Sequence, residues 1–214
     1  MKETQLQTIA WGVSGIAVVL AVVAWGQGNS WELIGIDSYQ LFPLFGLLAF
    51  SLMWSHYVAA ALRMHLGLEK AVLRTYFEVT SLAVLVAILL HPGLLAWQLW
   101  RDGLGLPPGS ELNYLGPTMR GSIIIAMIGL TVFLAYEFRR KYDQKSWWKY
   151  VQYASDVAIL LILIHSLRLG SQLQSGWYQI VWYFYAATLL ISLVYINAQK
   201  LKPTKKQPPT LVKS

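Results

Sequence analysis

The sequence predicts an all-α membrane protein, a six-transmembrane-helix bundle with both termini in the cytoplasm. Three observations carry that expectation. Of 214 residues, 56% are hydrophobic and 13% charged, more apolar surface than a soluble domain of this length can hide. The apolar residues fall into six runs, each near the ~20 residues that a helix needs to cross the hydrocarbon. The basic residues gather in alternate connections between those runs, as in proteins that cross the bilayer repeatedly.

The runs are roughly Thr8–Trp25, Leu41–Leu62, Leu73–Leu95, Arg120–Tyr136, Tyr150–Leu169 and Tyr178–Ile196. Each is too long for a buried core strand, and no strand alternation or internal repeat competes. The opening Met1-Lys2-Glu3-Thr4-Gln5 leads into the first run without a small-residue cleavage site. That run is therefore read as a retained span and not a removed signal peptide. Gly26-Gln27-Gly28-Asn29-Ser30 and Pro107-Pro108-Gly109-Ser110 are turn chemistry, not domain linkers. One helical domain over 1–198 follows, with a Lys- and Pro-rich tail from Gln199 to Ser214 that is expected to be disordered near anionic lipid.

Charge sets the orientation. With the N-terminus inside, the inside segments hold Lys2, Arg63, Lys70, Arg74, Arg139, Arg140, Lys141, Lys145, Lys149, Lys200, Lys202, Lys205, Lys206 and Lys213. Only Arg101, Arg120 and Arg168 fall outside, and this asymmetry places both termini in the cytoplasm. The net charge of +7 is thereby a topology signal and not a nucleic-acid surface, since no single amphipathic face collects it. The absence of cysteine removes disulfides, thiolate metal sites and iron–sulfur clusters. Trp147-Trp148 and Trp97/Trp100 fit interfacial aromatic belts.

Two histidines carry the chemistry. His91 lies 18 residues after Leu73, and His165 lies 18 after Trp147, which puts each about 27 Å along its helix. The third and fifth spans enter from the same side, so both imidazoles reach one depth in the outer leaflet. Either histidine alone reads more simply as an interfacial polar residue. A pair at equal depth fits the two axial ligands of a haem iron. Arg168 sits three residues after His165 on the same face. With Arg101 and Arg120 it supplies the outer cations a haem's propionates need, although snorkelling explains Arg101 and Arg120 about equally well. Pro92 after His91 is expected to kink or end the third span.

Six helices with both termini inside and histidines on the third and fifth, within Leu82–Leu95 (Leu90-His91-Pro92) and Val157–Leu169, resemble the ferric reductase-like transmembrane domain. The resemblance covers roughly Tyr39 to Ala198. Two-haem members of that superfamily carry a second histidine 13 or 14 residues nearer the cytoplasm on each helix. Here those positions are Phe77/Glu78 and Val151/Gln152, none a usual haem ligand. The pattern is closest to the single-haem STEAP-like arrangement. The resemblance implies one outer haem b, a flavin or quinone in the inner half, and a separate cytoplasmic flavin reductase or quinone as electron donor. It implies the membrane subunit of an oxidoreductase, multi-pass in a bacterial inner or plasma membrane, with the oligomeric state open.

Asp156, nine residues before His165, points half a turn away from it. His56 on the antiparallel second span reaches the same depth of about 10 Å, so a buried His56–Asp156 pair is expected, structural first and a relay or cofactor contact second. His65 beside Arg63 reads as interfacial, and Glu78 can pair with Arg74 at i,i+4. The competing reading is a haem-free six-helix accessory or assembly subunit with structural histidines. A small transporter is disfavoured because no pair of broken helices would hold a substrate.

Overall fold

A computed structural model describes residues 3–137 and 145–201 of the chain. Among them there are seven helices and no strand. They are α1 (Glu3–Gly28), α2 (Ser38–His65), α3 (Arg74–Arg101), the short α4 (Ser110–Leu115), α5 (Arg120–Glu137), α6 (Trp148–Leu169) and α7 (Trp177–Lys200). All but α4 are long and apolar enough to cross a membrane, which bears out the six-helix membrane bundle. The helices run past the apolar runs at most ends, because a helix continues through the polar interface once its core-spanning turns have formed. Gln199 and Lys200 belong to α7, and the rest of the expected tail, from 202, lies outside the described residues, as do Arg139, Arg140 and Lys141.

Local chemistry sets the ends. Asp37 caps α2 in a capping box: its carboxylate accepts from the Gln40 N–H at 3.0 Å, and the Gln40 side chain accepts from the Asp37 N–H at 3.1 Å. At the other end of α2, Gly67 adopts φ +65°, and Leu68 N–H donates back to the Arg63 carbonyl at 3.1 Å. Glycine enters that left-handed region without penalty, which lets the chain turn straight off the helix. Pro92 does not end α3: the helix continues to Arg101. A proline inside a membrane helix costs one backbone hydrogen bond, and the turns on both sides hold the helix together.

Cross-helix contacts fix the directions. Ser14 meets Ser55 at 3.0 Å and Trp25 donates to the Gln40 carbonyl at 2.6 Å, so α1 and α2 are antiparallel. His91 meets Phe42 while His56 meets Thr80, so α3 is antiparallel to α2. Tyr57 reaches Asp156, and on α6 His165 meets Ser122 of α5. Trp182 and Asn197 of α7 reach Ser166 and Asp156 of α6. Thus α3 and α6 run in the same direction. The ends of α1, α3 and α6 and the starts of α2, α5 and α7 form one end of the bundle, called here the far end; the N-terminus marks the near end.

α2 is the hub, packed along α1, α3 and α7, while α5 packs along α6. Phe50, Trp182, Tyr178 and Leu189 fill the centre, each at most 2% exposed. Phe50 stacks on Trp182 with centroids 4.6 Å apart, and Trp54 on Tyr185 at 4.1 Å. Leu82, Ile180, Ile191 and Val194 point outward, the arrangement a lipid-facing surface requires. α4 is held over the far end by Tyr114 stacking on Tyr39, rings 4.7 Å apart and nearly parallel. Burial, and then the Asp37 carboxylate, push the Tyr114 phenol above its ordinary value.

Candidate functional site

The two helices carrying the histidines share no extended contact: α3 leans on α2, and α6 on α5. His91 is the residue 17 beyond Arg74, the first of α3, and His165 is 17 beyond Trp148, the first of α6. Each faces the opening turns of its antiparallel neighbour. His91 Nδ1 lies 2.7 Å from the carbonyl oxygen of Phe42 on α2, and His165 Nδ1 lies 3.0 Å from that of Ser122 on α5. The matched depth expected from counting is therefore met by matched surroundings at the far end. Both rings are half-buried.

A carbonyl oxygen only accepts. Each Nδ1 must therefore carry the proton and donate it, which leaves the Nε2 of each neutral ring with its lone pair. Metal-binding histidines are commonly fixed this way, because the second bond holds the ring plane and makes the free nitrogen more basic. Gly46 makes the first of these bonds sterically allowed. A Cβ there would lie 2.8 Å from His91 Cε1 and 2.9 Å from Nδ1, so no other residue lets α2 approach the imidazole so closely. The Phe42 ring flanks His91 with centroids 5.3 Å apart.

Among the described residues no three His, Cys, Asp or Glu side chains gather to hold a bare metal ion. Two imidazoles do suffice for a metal that brings its own equatorial nitrogens, as haem iron does. The donor set thus fits that group. Arg101, Arg120 and Arg168 all stand exposed at the far end. Arg101 Nε lies 3.8 Å from Asp102 Oδ1; Arg168 is in the last turn of α6 and Arg120 opens α5.

The inner polar residues are arranged differently from the pairing expected of them. Asp156 accepts from Tyr57 OH at 3.2 Å and Asn197 Nδ2 at 3.1 Å, with Lys200 Nζ at 3.6 Å. His56 Nε2 instead lies 2.6 Å from Thr80 Oγ1. That hydroxyl gives its own proton to the Tyr76 carbonyl at 2.6 Å, so His56 Nε2 is the donor. Asp156 found its partners on α7 because Asn197 lies one turn from Leu193 on the buried face of that helix. Helix-to-helix rotation decides this, and counting along one helix does not supply it. Lys200 also sits 5.5 Å over the Tyr153 ring.

Phe77 packs its ring against His56 at 5.3 Å. Glu78 pairs with Arg74 at 2.9 Å on the exposed face, as expected. Sequence reasoning missed Gly46, Ser122 and a closed triangle of hydroxyls in which Ser14, Ser55 and Tyr76 lie 2.8 to 3.0 Å apart. A glycine or serine in an apolar run carries no signal of what it faces. Comparison with protein-family models, curated proteins and solved structures finds no match.

Proposed function

We propose that the chain is a b-type cytochrome that carries electrons across or within a membrane, with one haem b held between His91 of α3 and His165 of α6. The single observation that supports this reading is the parallel tethering of the two rings: each gives its Nδ1 proton to a backbone carbonyl at the same end of the bundle and keeps Nε2 free. Haem iron supplies one-electron chemistry when bound. The protein's part is to hold the two imidazoles at fixed rotation, with Phe42 and Ser122 carbonyls raising their basicity. With both imidazoles on the iron, no open position would remain for dioxygen, so these residues would favour outer-sphere electron transfer.

The far end faces outward in this reading. Among the described residues it holds Arg101, Arg120 and Arg168, whereas Arg63, Lys70, Arg74, Lys145, Lys149 and Lys200 lie at the near end, the distribution of a protein with cytoplasmic termini. The three far-end arginines are then the cations nearest the haem carboxylates. Electrons enter from a cytoplasmic flavin reductase or a quinone, with a flavin or quinone in the inner half beside Tyr57 and Asp156. The ferric reductase-like architecture in its one-haem form is the corresponding family reading, and a bacterial inner or plasma membrane the corresponding location.

A reduced-minus-oxidised spectrum of the detergent-purified protein, expressed with haem available, tests the proposal. Low-spin b-type bands are expected; their absence in the wild-type protein refutes it in favour of a haem-free accessory subunit.

A further inference from the structure

A buried serine or threonine in a membrane helix ordinarily gives its proton to the carbonyl three or four residues back. Ser155 does so to Val151 at 2.9 Å, and the half-buried Ser166 and Thr188 to Leu163 and Phe184 at 2.7 Å. Ser122 does not. It is the third residue of α5, so the carbonyls at that spacing belong to Thr118 and Met119 of the preceding 3-10 turn. Ser122 is 1% exposed, and its buried hydroxyl has no hydrogen-bond partner among the described residues. A buried hydroxyl without a partner costs free energy that a bound ligand recovers.

The surroundings specify the ligand's charge. Side chains on a helix lean toward its N-terminus, so the Ser122 hydroxyl leans into the first turn of α5. The Arg120 N–H is spent on the Pro117 carbonyl of the preceding 3-10 turn, but this end of the helix still carries the positive end of its dipole. The Arg120 guanidinium belongs to the same turn. The Ser122 carbonyl meanwhile holds His165 Nδ1, which puts the whole constellation beside that imidazole.

We propose that the first turn of α5 is a carboxylate site whose buried donor is the Ser122 hydroxyl, taking one propionate of a porphyrin held between His91 and His165. This rests on the haem reading above. A lipid phosphate would meet the same donor chemistry, but it belongs on the lipid-facing surface, and Ser122 is enclosed beside His165.

The test titrates the full-length, haem-depleted protein in detergent with haem b and, separately, with its dimethyl ester, in which both carboxylates are masked. Binding is followed by the low-spin absorption bands. Wild-type protein is expected to prefer haem b over the ester by at least tenfold. Ser122→Ala should cut that preference to about threefold or less while still binding the ester as wild type does; Ser122→Thr, which keeps the hydroxyl, should restore it. A fall for both ligands with the ratio kept in Ser122→Ala makes the residue merely structural and overturns the inference. So does an unchanged ratio, including one accompanied by loss of stabilisation by anionic lipid. Binding of neither ligand by the wild type sinks the haem reading itself, which separates the two failures.

Discussion

The far-end histidines and His56 occupy similar helices yet are wired in opposite senses. His91 and His165 each give Nδ1–H to a main-chain carbonyl, so the nitrogen left with its lone pair is Nε2. His56 commits that same Nε2 to Thr80, whose hydroxyl is already spent on the Tyr76 carbonyl. A main-chain acceptor cannot change its role, whereas a hydroxyl partner closes a network on itself. The first wiring leaves the lone pair on Nε2, at the tip of the ring, and the second leaves it on Nδ1, beside the main chain. Burial alone would not have told these histidines apart.

The largest effect breaks the comparison directly. His91→Ala and His165→Ala should each lower haem retention by more than a hundredfold, read as loss of the low-spin bands, while His56→Ala should keep most of it. Haem loss confined to the His56 variant would reverse the assignment. Next comes Gly46→Ala, which drives a methyl into the His91 ring. Overpacking of this kind costs about 1–3 kcal/mol, and both the melting temperature and haem occupancy should fall. A fully occupied, unshifted Gly46→Ala protein would show that the His91–Phe42 bond is dispensable.

A smaller effect belongs to the near end. Asp156→Asn removes the charge that Tyr57, Asn197 and Lys200 share. A loss of about 1–2 kcal/mol of thermal stability is expected from weakening hydrogen bonds to a charged group, allowing for the partial exposure of Lys200. The haem bands should stay where they are; a shifted spectrum would make the inner cluster part of the haem environment. Smallest is Glu78→Gln. The Arg74–Glu78 pair lies on the exposed face, and screening by solvent should leave its loss undetectable in a thermal melt.

Legibility in the sequence varied with the kind of question. His91 and His165 were legible as a pair because helical rise and charge asymmetry depend on one chain direction at a time. The pairing of Asp156 was not: it required knowing that α7 turns Asn197 toward α6 and that α2 presents Tyr57, not His56, to the carboxylate. Of the two outcomes expected at Pro92, an end to the helix is the one excluded: inside the bundle α3 runs on to Arg101.

By itself, the sequence determined six apolar spans, their alternation and the equal depth of two imidazoles, because hydrophobic length, loop charge and a rise of about 1.5 Å per residue are one-dimensional quantities. Only the tertiary structure decided which nitrogen of His91 and of His165 donates to the main chain, why position 46 is glycine and which groups surround Asp156. Those depend on how far each helix is rotated about its axis and how closely it approaches its neighbour, and side-chain size and hydrogen bonding settle that only once the helices meet.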